Sequence, residues 1–364
     1  MHPQWPSSAQ ERADLAACRR ALRAGSKSFS GAATLLPAAV RDAATALYAF
    51  CREADDAIDL HAGGAAALAA LAGRLDRIYG GCPDGRAVDR ALAAVVDRYA
   101  IPRTLFDALL QGFEWDATGR RYESLADVLE YAARVAGTIG AMMALLMGVR
   151  AAQVVARACD LGMAMQLTNI ARDVGEDARA GRLYLPLDAL RHVGIDPDAW
   201  LRQPRMSPGL RVVIDDVLYE ADYLYSGVAA AVAQLPRSCQ AGITAARLIY
   251  ADIGRVVRKA GCDSVSRRAI VSRRRKLLLL GKAFFAVPHT VRGDAVPTRP
   301  ATHGLLESIA ACGSVASRQP MAPWWQLRSR ALWLIDLFDR LERRNRSGAA
   351  RPAEEPGAGV LNST

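Results

Sequence analysis

The sequence predicts an all-α chain, a single helical domain with a central cavity. Three observations lead there. Alanine and leucine are abundant, and 51% of residues are hydrophobic, enough for a sizeable core. Apolar positions recur at helical spacing over long stretches free of turn residues, while the period-two alternation of strands is scarce. Short breaks rich in Gly, Pro and Asp, such as "YGGCPDGR", "YAIPRT", "RHVGIDPDAW" and "RQPRMSPGL", divide these stretches into successive helices. No repeat of fixed period is present.

In chain order, residues 1 to about 10 read as a frayed N-terminus and residues 11 to 287 as the helical body. Residues 288–322 change character: "PHTVRGDAVPTRPATHG" reads as a linker. Residues 323–344, "PWWQLRSRALWLIDLFDRLERR", resume helical periodicity, and 345–364 read as a disordered tail.

Composition narrows the function. The net charge of +10, from 47 basic and 37 acidic side chains, suits an anionic partner: nucleic acid, acidic lipid or a phosphorylated small molecule. The seven cysteines are scattered with no CxxC pair, which points to free thiols in a reducing compartment and not to disulfides or zinc. The five histidines show no ligand spacing. No secretory signal is visible at the start. No window holds 18 uninterrupted apolar residues; Leu277–Val287 is short and broken by Lys282, so no membrane-spanning helix is expected. The expectation is a cytoplasmic protein.

The first chemical signal is "ALYAFCREADDAIDL", residues 46–60. On a helix over 42–60, Leu47, Phe50, Cys51, Ala54 and Ile58 form an apolar stripe about 100° wide. Asp55 and Asp59 lie at its border one turn apart, Arg52 lies beside them, and Asp56 is rotated further round. Carboxylates at i and i+4 are roughly 6 Å apart along the axis and repel each other. A shared hard cation would relieve that, and Mg²⁺ takes one or two carboxylates plus water and phosphate oxygens. A solvated acidic patch is the alternative.

The second signal is "MQLTNIARDVGED", residues 165–177. Gln166, Asn169, Asp173 and Asp177 share an arc of about 80°, and Met163, Leu167, Ile170, Ala171 and Val174 occupy the opposite, core-facing arc. Upstream, the polar arc continues into Val155, Cys159 and Gly162. A charged mouth opening into an apolar tunnel is thereby predicted, suited to an anionic head with a long hydrocarbon tail. Gly175 lowers helix propensity by roughly 1 kcal/mol and reads as a kink or the start of a flexible lid over "EDARAGRLYLP". There Arg179, Arg182 and Tyr184 could close over phosphate; ordinary surface arginines are the alternative.

Two acidic helical segments, the second preceded by Asn-x-x-Arg, resemble the squalene and phytoene synthase family. "GSKSFS" (25–30), "YAARVAGTIG" (131–140), "RLIYADIG" (247–254) and "SRRAIVSRRRK" (266–276) are similar to further family motifs in the family's order. The resemblance spans roughly 20 to 285, and its wording is most like the bacterial phytoene synthase branch. It implies an isoprenoid-synthase-type bundle. It also implies head-to-head condensation of two geranylgeranyl diphosphates through prephytoene diphosphate, with Mg²⁺ (or Mn²⁺) and without NADPH. By resemblance, Asp55, Asp59, Asn169, Asp173 and Asp177 hold the metal, and Arg52, Arg172, Arg268 and Lys276 meet diphosphate. Ser26, Ser28, Phe29, Tyr131, Val135, Gln166 and Tyr250 line the substrate sites, with Tyr250 also among the catalytic residues alongside Asp55, Asp59, Arg52, Asp173 and Arg172.

Three rivals stay open. One is a head-to-head synthase acting on C15 substrates to give squalene, presqualene diphosphate or dehydrosqualene. Another is a chain-elongating prenyl diphosphate synthase, against which Asn169-x-x-Arg172-Asp173 argues. The third is a basic nucleic-acid-binding module, supported only by "SRRAIVSRRRK" and accompanied by no zinc or aromatic-basic motif; no nucleic-acid partner is expected. A hydrocarbon product must reach a bilayer, so peripheral membrane contact through Trp324, Trp325, Trp333 and Phe338 is expected, with other carotenoid enzymes as further partners.

Overall fold

Several helices in this chain begin where a short polar residue accepts from the orphan amides of a first turn. Ser124 and Asp127 form a reciprocal capping box, and the Ser207 and Ser272 hydroxyls accept from the backbone N–H of Leu210 and Arg275 at the starts of later helices. The computed structural model describes residues 5–25, 35–60, 64–286 and 298–312. All of these fall in one compact unit, Met1–Ala322. Its helices are α1 Ala9–Gly25, α2 Ala38–Leu60, α3 Gly64–Tyr79, α4 Ala87–Tyr99 and α5 Arg103–Ala117. Next come α6 Leu125–Ala132 and α7 Thr138–Leu146, joined by a π-helical turn at Ala133–Gly137, and then α8 Ala152–Arg179. The chain continues through α9 Leu187–His192, α10 Pro197–Arg202, α11 Pro208–Val232, α12 Arg237–Lys259 and α13 Arg273–Phe285. It ends its described part with a 3₁₀ turn, Pro300–Thr302, and α14 His303–Ala311. Among the described residues there is no strand, so the all-α expectation holds.

The long helix α8 is the axis. It packs against α7, α11, α12 and the π turn. Its contact with α7 and the π turn before it is set by two glycines. A Cβ on Gly140 would lie 2.0 Å from the Ala158 carbonyl oxygen, and one on Gly162 would lie 2.1 Å from that of Ala136. The paired positions run in opposite senses, so α7 and α8 are antiparallel with backbones in direct contact. Leu125–Leu146 is long and apolar enough to cross a membrane, but 56% of its most apolar window is buried within the protein, and its glycine contact to α8 marks it as a core element.

On the other side of the bundle α2 carries the first acidic segment. Leu47, Phe50, Ala54 and Ile58 are buried as the stripe predicts. Phe50 meets Phe106 edge-on. Glu53 is structural: with the buried Asp89 it binds Arg74, at 2.8 and 2.5 Å, tying α2 to α3 and α4.

Two expectations change here. The stretch read as a linker, 288–322, contains α14. Leu305 and Ile309, one turn apart, are buried, so a short helical repeat was present within the Pro-rich surroundings. Helix α8 is continuous through Gly175; the glycine marks a close crossing and not a kink. A Cβ there would lie 2.3 Å from the Val265 carbonyl oxygen, and its N–H donates to Ser264 O at 2.9 Å. Residues 323–364, including the expected interfacial helix, lie outside the described residues.

Candidate active site

The polar arc of α8 places Gln166 and Asn169 on the wall of a cavity of ≈ 250 Å³. Val135 on the π turn and Tyr250 on α12 share that wall. Further from the acidic end lie Gly140, Met143, Met147 and Val154. Val154 and Asn169 are 15 residues apart on one helix, about 22 Å, so the cavity is long enough for an extended prenyl tail. Gly162 lines it as expected, but Val155 and Cys159 do not. Both are fully buried in the core, and the lining stripe is Val154, Ala158, Leu161 and Met165. The lining stripe is therefore rotated by about one position from the polar arc, so the cavity crosses the face of α8 obliquely instead of running straight along it. Met163, Leu167, Ile170, Ala171 and Val174 face the core as predicted.

At one end of the cavity wall the carboxylates begin. Asp173 accepts from Arg172 Nε at 2.7 Å and from Arg268 Nε at 2.8 Å. Burial works against its charge, but the two guanidiniums hold it below the ordinary carboxylate range. Arg268 arrives on the loop that crosses α8 at Gly175, so the glycine positions an arginine 95 residues away in sequence from its partner. One turn on, Asp177 has the opposite fate. Burial first, then the Asp173 charge, push its carboxyl up to about 7, with Glu176 and Asp116 adding to the effect and Arg182 opposing it.

The first acidic segment meets this group. Arg52 forks to Asp56 at 2.6 Å and Asp55 at 3.4 Å. Asp55 is near enough to Asp116 to help raise its carboxyl, behind burial as the main cause. Asp116 in turn acts on Asp177. Three helices, α2, α5 and α8, thus carry carboxylates within electrostatic reach of one another. Tyr250 on α12 lies within electrostatic reach of Arg172 and of Tyr48 on α2.

Asp116 was not among the residues singled out from the sequence. Tyr131 Oη donates to it at 2.9 Å and Tyr184 Oη at 2.7 Å, and those two rings stack at 5.2 Å. A signal existed: Leu105, Leu109, Gly112 and Phe113 make the buried stripe of α5, and Asp116 continues it, an acid on a core-facing line. Tyr131 consequently touches the carboxylate group and not the cavity wall. Tyr184, expected on a lid, is part of this packed cluster, with Leu183 and Leu185 buried on either side. Arg179 turns back to the Val265 carbonyl.

The remaining expected residues divide as follows. Asp59 lies in the last turn of α2, with its side chain outside the described residues. Ser26, Ser28 and Phe29 also lie outside them. Lys276 is half-buried on α13, whereas its neighbour Arg275 joins Arg255 on Asp252. All seven cysteines are free, four of them buried.

Helices wrapped around a long apolar cavity, with carboxylates and arginines at one end, define an enzyme for amphiphilic substrates with an anionic head. The chain belongs to the squalene/phytoene synthase family, whose profile matches residues 22–275. It is 47% identical over 339 residues to a phytoene synthase of Rhodobacter capsulatus, covering 92% of this chain and 97% of that one. It is 50% identical over 279 residues to a phytoene synthase of Cereibacter sphaeroides, covering 74% and 79%. Among solved structures, a dehydrosqualene synthase in complex with ligand superposes with a TM-score of 0.68 at 32% identity, covering 75% of this chain and 96% of that one. A squalene synthase from Alicyclobacillus acidocaldarius gives 0.64 at 26% identity, with 69% and 95% covered.

Proposed function

We infer that the chain condenses two geranylgeranyl diphosphates head to head into phytoene. The observation that carries this reading is an apolar cavity about 22 Å long whose wall reaches Gln166 and Asn169, with Asp173 and Asp177 following on the same helix and Asp55 and Asp116 within electrostatic reach of that end. The identity of 47–50% to phytoene synthases supports the choice of product.

The donor set fits Mg²⁺. Among the described residues no three acids are already gathered into a cage, but Mg²⁺ needs only one or two carboxylates when phosphate and water fill its shell. Burial, and behind it the Asp173 charge, raise the Asp177 carboxyl, so a cation beside it would favour its charged form. Asp55, Asp59, Asn169, Asp173 and Asp177 would hold the ion, which when bound offsets charge on the departing diphosphate.

The protein's own part follows from the geometry. Arg52, Arg172 and Arg268 stand ready to donate to diphosphate oxygens, a preorganised stabilisation of charge as the C1–O bond breaks. The resulting allylic cation lies within apolar walls that keep water away. The double bond of the second substrate attacks it, and loss of one proton closes the cyclopropane of prephytoene diphosphate. That intermediate loses its own diphosphate at the same carboxylate end, rearranges and releases a second proton. Two diphosphates and two protons leave and no hydride enters, so NADPH has no place in the balance. Cytoplasmic location and delivery of product to a membrane belong to the same reading, with Trp324, Trp325 and Trp333 as membrane contacts and other carotenoid enzymes as takers of the product.

Product analysis tests it. Purified chain with geranylgeranyl diphosphate and Mg²⁺ is expected to yield phytoene. Farnesyl diphosphate, with or without NADPH, is expected to yield far less C30 hydrocarbon. A C30 product formed faster than phytoene, or a longer free diphosphate, would overturn the assignment.

A further inference from the structure

Helix α13 is apolar on two opposite faces. Its inner stripe, Leu279, Leu280 and Ala283, is buried, on the side that packs against α12. Arg274, Leu277, Leu278, Gly281, Phe284 and Phe285 fall in a second arc about 120° wide on the other side. That arc faces outward: Leu278 is 61% exposed and Phe285 86%. Ile270, in the loop just before, is 75% exposed. Isolated apolar side chains on a surface are ordinary, but a contiguous stripe marks a docking face.

The charge around this stripe is one-sided. Residues 264–286 contain seven Lys or Arg and no Asp or Glu. Arg267, Arg274 and Lys282 are exposed. A leucine and phenylalanine stripe framed by cations is the composition of a helix lying in a lipid headgroup layer, where anionic lipid attracts the basic side chains. A nucleic-acid duplex would satisfy the cations but would press Leu277, Leu278 and Phe285 against phosphates. We propose that the outer face of α13, extended by Ile270, docks the enzyme on a bilayer containing anionic phospholipid.

The placement suits the chemistry. Arg268, which grips Asp173, is two residues from Ile270, so the docked face adjoins the carboxylate end of the site. Resting on the reading as a phytoene synthase, this puts the lipid phase beside the site that takes prenyl substrates and releases a hydrocarbon.

Vesicle flotation of the full chain tests the proposal. The protein is expected to float with phosphatidylcholine vesicles that contain phosphatidylglycerol, and less so at high salt. Leu278→Glu/Phe285→Glu should lower partition by about tenfold or more, and Arg274→Gln/Lys282→Gln by a smaller factor confined to low salt. Circular dichroism and turnover in detergent micelles should stay within about twofold of wild type for both pairs, and Leu277→Ser/Leu278→Ser serves if the glutamate pair fails to fold. No flotation with the phosphatidylglycerol-containing vesicles, or equal flotation of wild type and the apolar variants, overturns the proposal. So does a dimer that the glutamate pair splits while flotation is unchanged, or salt-sensitive duplex binding without flotation. Wild type that floats but makes no phytoene in micelles leaves the docking face standing and removes the assigned reaction.

Discussion

Gly175→Ala would separate local helix preference from tertiary fit. On an isolated helix the substitution is worth about 1 kcal/mol in favour of folding. In this protein the new Cβ would stand 2.3 Å from the Val265 carbonyl oxygen and 2.8 Å from its Cα. Relief to an ordinary contact of about 3.4 Å requires the crossing loop to lift by roughly 1 Å. Both obstructing atoms are backbone, so no side-chain rotation removes the clash. Overpacking of this kind costs about 1–3 kcal/mol, and weakening the hydrogen bond from Gly175 N–H to Ser264 O adds about 1 kcal/mol. Net destabilisation of about 1–3 kcal/mol is expected. Function should suffer more than stability, because the loop carries Arg268 to Asp173, and a misplacement near 1 Å can cost about a hundredfold in rate. Thermal unfolding and single-turnover product formation measure the two effects. Because the damage runs through Arg268, Gly175→Ala/Arg268→Ala should be little slower than the worse single variant. A Gly175→Ala enzyme that is more stable and turns over normally would refute the account of the crossing.

Three further outcomes are expected. Asp173→Ala should fold normally by circular dichroism and lose about a hundredfold or more in kcat, the scale of removing one preorganised electrostatic group; near-normal phytoene output would refute its role. For Asp177 the carboxyl is raised from 3.8 to about 7 in the folded protein, so the folded state holds the extra proton between those values and stability falls as pH rises through that window. Unfolding in EDTA should therefore occur at lower temperature near pH 8 than near pH 6, the stability differing by about 1.4 kcal/mol for this one group, and added Mg²⁺ should stabilise most at the higher pH and restore turnover. Met143→Trp adds bulk to the end of the cavity remote from Asn169, and mass analysis of mixed-substrate reactions should show the C30 share rising relative to C40; an unchanged ratio would place the tail elsewhere.

Helical periodicity carried most of the fold. The stripe of Leu47, Phe50, Ala54 and Ile58 and the opposed arcs of residues 163–177 follow from 100° per residue and from little else. What escaped was set by contacts distant in sequence. Gly175 looks like a helix breaker until Val265 is placed over it, and nothing local in "RDVGED" announces that crossing. Tyr184 sits in a stretch of arginines and glycines that reads as a mobile cover; its neighbours Leu183 and Leu185 are buried and its hydroxyl is spent on Asp116. Asp116 itself was legible only by extending the stripe of α5 one turn beyond Phe113. The cavity's lining stripe was missed by one position because the polar arc was extrapolated straight along the helix, whereas the cavity crosses its surface obliquely. In α13, a run of four leucines hides two faces with different neighbours, which only burial distinguishes.

The charges at the site argue for how it must be filled. Among the described residues Arg52, Arg172, Arg182 and Arg268 are countered by Asp55, Asp56, Asp116, Asp173, Glu176 and Asp177, so carboxylates outnumber guanidiniums there. The resting arrangement handles this unevenly. Two arginines converge on Asp173, and Asp177 is left with a carboxyl that burial and its neighbours keep near neutrality. A diphosphate entering such a site would meet net repulsion from the acids, and its own oxygens would compete with Asp173 for Arg172 and Arg268. Each arginine moved onto substrate leaves a carboxylate less compensated inside the protein, where an unpaired charge is expensive. Cations must therefore enter with the head group. On this argument metal and diphosphate bind with positive coupling, each raising the other's affinity by the same factor. Titration of a non-hydrolysable prenyl diphosphate analogue with and without Mg²⁺ should show at least about a tenfold difference, or 1.4 kcal/mol; equal affinity in EDTA and in Mg²⁺ would mean that the arginines alone carry the head group.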